Sequence, residues 1–152
     1  MTLTREEFLD YSREYTIIPV WRELVADQVT PVAAFARVVG DDSGFLLESV
    51  ENGERWSRWS FIGRNPLLTI SKDDNEISID GEIPLPIESK KGILELVKSL
   101  QETLKTPKID ALPPMYSGLI GYLGYDIVRE IEDLPLIPNK DLELPNAILS
   151  II

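Results

Sequence analysis

The sequence predicts an α+β fold with mainly antiparallel sheets and helices packed on the outside. Three observations carry this. Between residues 44 and 80, short strand-like runs are joined by connections too short for parallel crossovers. Ile93, Leu96, Val97, Leu100 and Leu104 recur at helical spacing and form one apolar stripe. Thr4 and Thr30 stand where helix caps belong.

The elements follow in order. Thr4-Arg5-Glu6-Glu7 fits a capping box, in which the Thr4 hydroxyl and the Glu7 carboxylate satisfy each other's backbone N–H. A helix is expected from Arg5 to about Glu14, with Phe8 and Tyr11 facing inward. Pro19–Leu24 is rich in branched and aromatic residues and reads as an edge strand, because proline cannot donate to a ladder. Thr30-Pro31 starts a second helix, a hydroxyl cap followed by proline where no donor is lost. That helix ends near Gly40.

Gly44–Val50, Arg58–Arg64, Leu67–Ser71 and Glu76–Asp80 then read as a strand meander, with turns at Glu51-Asn52-Gly53, Asn65-Pro66 and Asp74-Asn75. Ser89 is the expected cap of a helix from Lys90 to Lys105, which Thr106-Pro107 stops. Residues 106–116 form a proline-rich loop. Tyr116–Asp126 begins as a strand and passes into a helical stretch, Asp126–Glu132, with Asp126 as its cap. The chain closes on an apolar, strand-like run ending at Ile152. An uncapped hydrophobic strand with an unpaired edge invites association, so the chain is expected to be a piece of something longer.

Composition narrows the function classes. The 152 residues form a single region, long enough for a hydrophobic core. A net charge of −11 argues against binding nucleic acid, whose phosphates require a basic face, and against anionic membrane surfaces. No cysteine is present, which removes disulfides and thiolate chemistry. No histidine is present either, which removes the commonest general base and metal ligand. Nothing at the N-terminus resembles a signal peptide, and no apolar run approaches a membrane span, so a cytoplasmic location is expected.

One stretch raises a question about binding. Glu48-Ser49 interrupts an oily run that holds Leu46, Leu47 and Val50, and Trp56, Trp59, Arg55 and Arg58 follow closely. An amino-acid ligand needs an acceptor for its ammonium and donors for its carboxylate, and a carboxylate–hydroxyl step supplies both. On the residues alone, an ordinary half-exposed strand explains this step better, because strand side chains alternate between faces. Trp59 and Phe61 share a parity and read as core. Arg58 and Arg64 could grip a carboxylate bidentately or form surface ion pairs. Gly118, Gly121 and Gly124 lack the dinucleotide-binding spacing and read as close backbone approaches. Glu130, Glu132 and Asp133 read as surface carboxylates.

Three segments together resemble a known family. TPVAAFARV, FLLESVENGERWSRWSFIGRNP and SGLIGYLGYD lie in the order and at the spacing found in the N-terminal part of anthranilate synthase component I. The resemblance covers Tyr15 to Ile152, and LLES followed by RWSFIG is its most specific part. It implies an enzyme that converts chorismate, with ammonia from glutamine, to anthranilate and pyruvate using Mg²⁺. It also implies a glutamine amidotransferase subunit as partner and feedback inhibition by L-tryptophan. By position, the tryptophan-binding residues implied are Leu47, Glu48 and Ser49, with Arg58 beside them. The family's chorismate- and magnesium-binding residues lie in a C-terminal catalytic region that these residues do not contain, and its active site uses a histidine. The resemblance therefore implies a regulatory portion that is inactive alone, holds no cofactor itself and forms part of a layered sandwich completed by the missing region. The alternatives are the N-terminal part of aminodeoxychorismate synthase component I, or a docking scaffold for the catalytic half and the glutaminase subunit.

Overall fold

The computed structural model describes residues 3–48, 59–74, 76–81, 92–136 and 143–152. It has the expected α+β composition, with two antiparallel sheets and few helices. The chain divides into two compact units, one of residues 1–66, 106–118 and 152, the other of residues 67–105 and 119–151.

In the first unit, helix α1 (Arg5–Tyr11) carries the expected capping box. Thr4 N–H donates to Glu7 Oε2 at 2.8 Å, and Glu7 N–H donates to Thr4 Oγ1 at 3.2 Å. The helix is shorter than expected and buries no residue: Phe8 remains 39% exposed, and Tyr11 packs edge-on against Tyr15. The edge strand expected at Pro19–Leu24 is not formed, and Val20 and Leu24 stay exposed. Branched residues favour a strand only where a neighbouring strand takes up the backbone, and Pro19 removes one donor from any such ladder. Helix α2 (Pro31–Val38) starts as expected, with Ala33 N–H donating to Thr30 Oγ1. Past its end the chain turns at Gly40, whose φ of +60° suits glycine.

Strands β1 (Gly44–Glu48) and β2 (Ser60–Arg64) pair antiparallel in a sheet of their own. Gly63 lies opposite Phe45, and a Cβ at that glycine would run into the Phe45 ring. The meander expected through residue 80 stops here, because β2 does not pair with the next strand. Asn65 takes a left-handed φ of +51° and Pro66 has no N–H, so the chain turns out of the ladder.

In the second unit, β3 (Leu68–Asp73) and β4 (Glu76–Gly81) form the next hairpin. The remaining strands are β5 (Leu119–Leu123) and β6 (Ala147–Ile151), and the sheet order is β4-β3-β6-β5. The closing apolar run is therefore an interior strand, bonded to β3 on one side and β5 on the other. This corrects the unpaired edge expected there. Its alternation explains the position: Ala147, Leu149 and Ile151 are all buried, and Ser150 on the other face meets Thr69 Oγ1 at 3.0 Å.

Helix α3 (Ile93–Thr103) lays the predicted stripe on this sheet. Ile93, Leu96 and Leu100 join Leu68, Ile70, Ala147, Leu149 and Ile151 in the core. Each large side chain buried in this way contributes about 1.5–3 kcal/mol. Gly121 makes the close approach expected of it, since a Cβ there would collide with the Ile148 carbonyl across the ladder. The helical stretch after β5 is a 3₁₀ helix, Tyr125–Glu130. It is capped by Gly124, not Asp126, whose carboxylate instead accepts from Arg129 Nε at 3.0 Å.

Candidate functional site

The hairpin β1–β2 carries the described part of the expected ligand site. Residues opposite each other in an antiparallel pair share a face. Leu47 lies opposite Phe61 and Glu48 opposite Ser60. The strand end thus presents an apolar pair on one face and a carboxylate–hydroxyl pair on the other. Leu47 is 43% exposed and Glu48 is exposed. Alternation places only one of Leu46 and Leu47 on the inner face, and Leu46 is the more buried. Trp59, just before β2, is 39% exposed, so it is not the core residue its parity suggested. Ser49, Val50, Trp56 and Arg58 lie outside the described residues.

Arg64 is committed elsewhere. Its Nη1 donates to Val38 O at the end of α2, and its Nη2 lies 3.7 Å from Asp42. A cation on the last carbonyls of a helix satisfies acceptors that have no partner within it. Of the two arginines that could grip a ligand carboxylate, Arg64 is thereby occupied by the fold. Among the described residues, one buried polar side-chain atom has no hydrogen-bond partner, the Trp21 indole Nε1.

The second unit holds a charged cluster that sequence reasoning passed over. Ile93 N–H donates to Glu130 Oε1 at 2.9 Å and Leu94 N–H to Glu130 Oε2 at 3.0 Å. Lys72 Nζ lies 2.9 Å from Glu130 Oε1, and both side chains are 13% exposed. Burial opposes ionisation of Glu130, but the bonds from Leu94, Ile93 and Lys72 outweigh it, so its carboxyl sits below the ordinary glutamate range. Two signals were available in the sequence. Lys72 has the parity of Leu68 and Ile70, which points it at the core, where an ammonium needs a partner. Gly92 at the start of α3 offers no side chain to cap the helix, so its first N–H groups need an acceptor from elsewhere.

The resemblance implies Mg²⁺ in the complete protein. Among the described residues no group of three or more Asp, Glu, His or Cys side chains could hold a metal ion. Among the described residues, no helix is long and apolar enough to cross a membrane.

Comparison with known proteins extends the resemblance to nearly the whole chain. No family model matches it. It is 39% identical over 149 residues to anthranilate synthase component 1 of Mycolicibacterium smegmatis, covering 97% of this chain and 28% of that protein. It is 37% identical over 144 residues to the protein of that name from Acetivibrio thermocellus, covering 95% and 29%. With the one from Pseudomonas putida the identity is 34% over 154 residues, covering 98% and 31%. The chain thus resembles anthranilate synthase component 1 over almost all of its own length, and spans less than a third of the relatives it matches, as the N-terminal part of such a protein would.

Proposed function

We propose that this chain is the N-terminal regulatory portion of anthranilate synthase component 1 and contributes the feedback site for L-tryptophan. The observation that carries the reading is the identity of 34–39% to proteins of that name across nearly the entire chain. The hairpin supports the location of the site. The Leu47–Phe61 pair offers apolar surface for an indole, and Glu48, although it stands on the other face of the hairpin, brings an acceptor for an ammonium to the same strand end. Ser49 and Arg58 complete the proposed set. Ser49 supplies a hydroxyl, and Arg58 supplies a cation for the ligand carboxylate.

The reaction of the complete subunit would join ammonia derived from glutamine to chorismate and release pyruvate to give anthranilate. In that proposal the residues of this chain take no catalytic part, and the chorismate and Mg²⁺ sites of the complete subunit lie outside them. The designation "component 1" of the relatives fits a complex in which a glutamine amidotransferase subunit delivers the ammonia in the cytoplasm. Inhibition requires only that tryptophan bind the low-activity state better than the active one; a coupling of about 1–3 kcal/mol is typical.

The test is calorimetric titration of a complete subunit carrying this segment with L-tryptophan, D-tryptophan and L-phenylalanine. Saturable heat with L-tryptophan alone is the expected result. Equal heats with all three, or none with any, would remove the tryptophan site from the proposal.

A further inference from the structure

The Glu130 cluster joins three pieces of chain that are distant in sequence: the first turn of α3, the far end of β3 and the 3₁₀ helix after β5. The helix brings no capping side chain of its own, since Gly92 occupies the N-cap position with a φ of +147°. A Cβ at Gly92 would strike the Glu130 carboxylate, so the glycine is what lets the carboxylate reach the helix end. Lys72 approaches the same carboxylate from the sheet. We propose that Glu130, Lys72 and Gly92 form a charge-dependent latch that fixes the first turn of α3, closed while the Glu130 carboxylate is ionised and released when it is neutral.

Each part has a physical reason. An ionised carboxylate accepts from both Ile93 N–H and Leu94 N–H with its two oxygens, and it meets the positive end of the helix. A neutral carboxyl keeps a proton on one oxygen, so one amide loses its acceptor and Lys72 loses its counter-charge. Charged groups face Glu130 from three elements. From β3 it faces Lys72, whose Nζ lies 2.9 Å from Glu130 Oε1. The first turn of α3 also carries Glu95. On its own helix, Asp126 and Arg129 are paired with each other. β6 carries no titratable side chain, and the Tyr122 hydroxyl of β5 donates to Pro145 O. The lowered pKa of Glu130 agrees in sign: the latch stays closed at neutral pH and opens as pH falls through a value below the ordinary glutamate range.

Amide ¹H–¹⁵N spectra of the isotope-labelled chain between about pH 6.5 and pH 3 test this, followed alongside hydrogen-exchange protection of the same amides. The Ile93 and Leu94 amide protons should titrate together, with one midpoint below the usual glutamate value of about 4.3. Protection in the first turn of α3 should fall at least ~10-fold through that midpoint, while β6 amides keep theirs. In Glu130→Gln both amide titrations should vanish. If that variant does not fold, the titration of the unaltered chain still decides. Midpoints at or above the usual value, separate midpoints for the two amides, titrations that survive in Glu130→Gln, or loss of β6 protection at the same pH would each overturn the latch.

Discussion

The pairing of Lys72 with Glu130 makes a quantitative prediction for a double-mutant cycle. Lys72→Met removes the ammonium while keeping an unbranched apolar stem on the core face of β3. Breaking a fully buried ion pair from one side costs about 3–5 kcal/mol, and breaking an exposed one about 0–1. Both side chains are 13% exposed, close to the buried limit, but Glu130 retains two backbone donors after the change. Lys72→Met should therefore destabilise the chain by about 1–3 kcal/mol. Glu130→Ala also strips the cap from α3, worth about 1 kcal/mol more, and strands the lysine, for a total of about 2–4. The double variant should fall short of the summed losses by about 1–2 kcal/mol, because each single change already abolishes the same contact. Urea unfolding at neutral pH, with unchanged m-values, measures all three. Additivity to within about 0.5 kcal/mol would show that the two groups do not interact, and would refute the reasoning.

Other outcomes follow from the same packing. Leu100→Ala, at 2% exposure between α3 and the sheet, should cost about 2–5 kcal/mol by thermal or urea unfolding. Gly121→Ala forces a methyl against the Ile148 carbonyl, so protection of the β5–β6 ladder amides should drop more than it does in the neighbouring Gly118→Ala, where a Cβ would meet nothing within 4 Å. Because the folded pKa of Glu130 is lowered, its contribution to stability is complete above about 4.3 and is lost as pH falls through the folded value. Glu130→Gln should therefore flatten the acid limb of the stability–pH profile, and an unchanged limb would contradict this.

Local signals carried most of the secondary structure. Thr4 with Glu7, Thr30 with Pro31, and the stripe from Ile93 to Leu104 all act within a turn or two, and each element they announce is present. Pairings between distant segments were harder to see. Pro19–Leu24 has strand-like composition, but composition supplies no partner strand. The closing run was read as an edge because β3 and β5, which enclose it, are distant in sequence: even the nearest cross-strand pair, Leu123 with Ala147, is 24 residues apart. Glu130 looked like one more surface carboxylate, and its value depends on a glycine 38 positions earlier and a lysine on β3. The ligand site was legible only through the resemblance. Glu48 in isolation is an exposed strand residue opposite a serine, and its geometry alone names no ligand.

Feedback inhibition of a complete subunit carrying this segment tests the functional proposal most directly. Anthranilate formation from chorismate and ammonia should fall with increasing L-tryptophan in the unaltered enzyme. In Ser49→Phe, where a ring fills the proposed site, it should persist at tryptophan concentrations at least ~10-fold higher, the loss of about 1.4 kcal/mol of coupling. An enzyme indifferent to L-tryptophan, or a Ser49→Phe variant inhibited as strongly as its parent, would contradict the assignment of this segment to the feedback site.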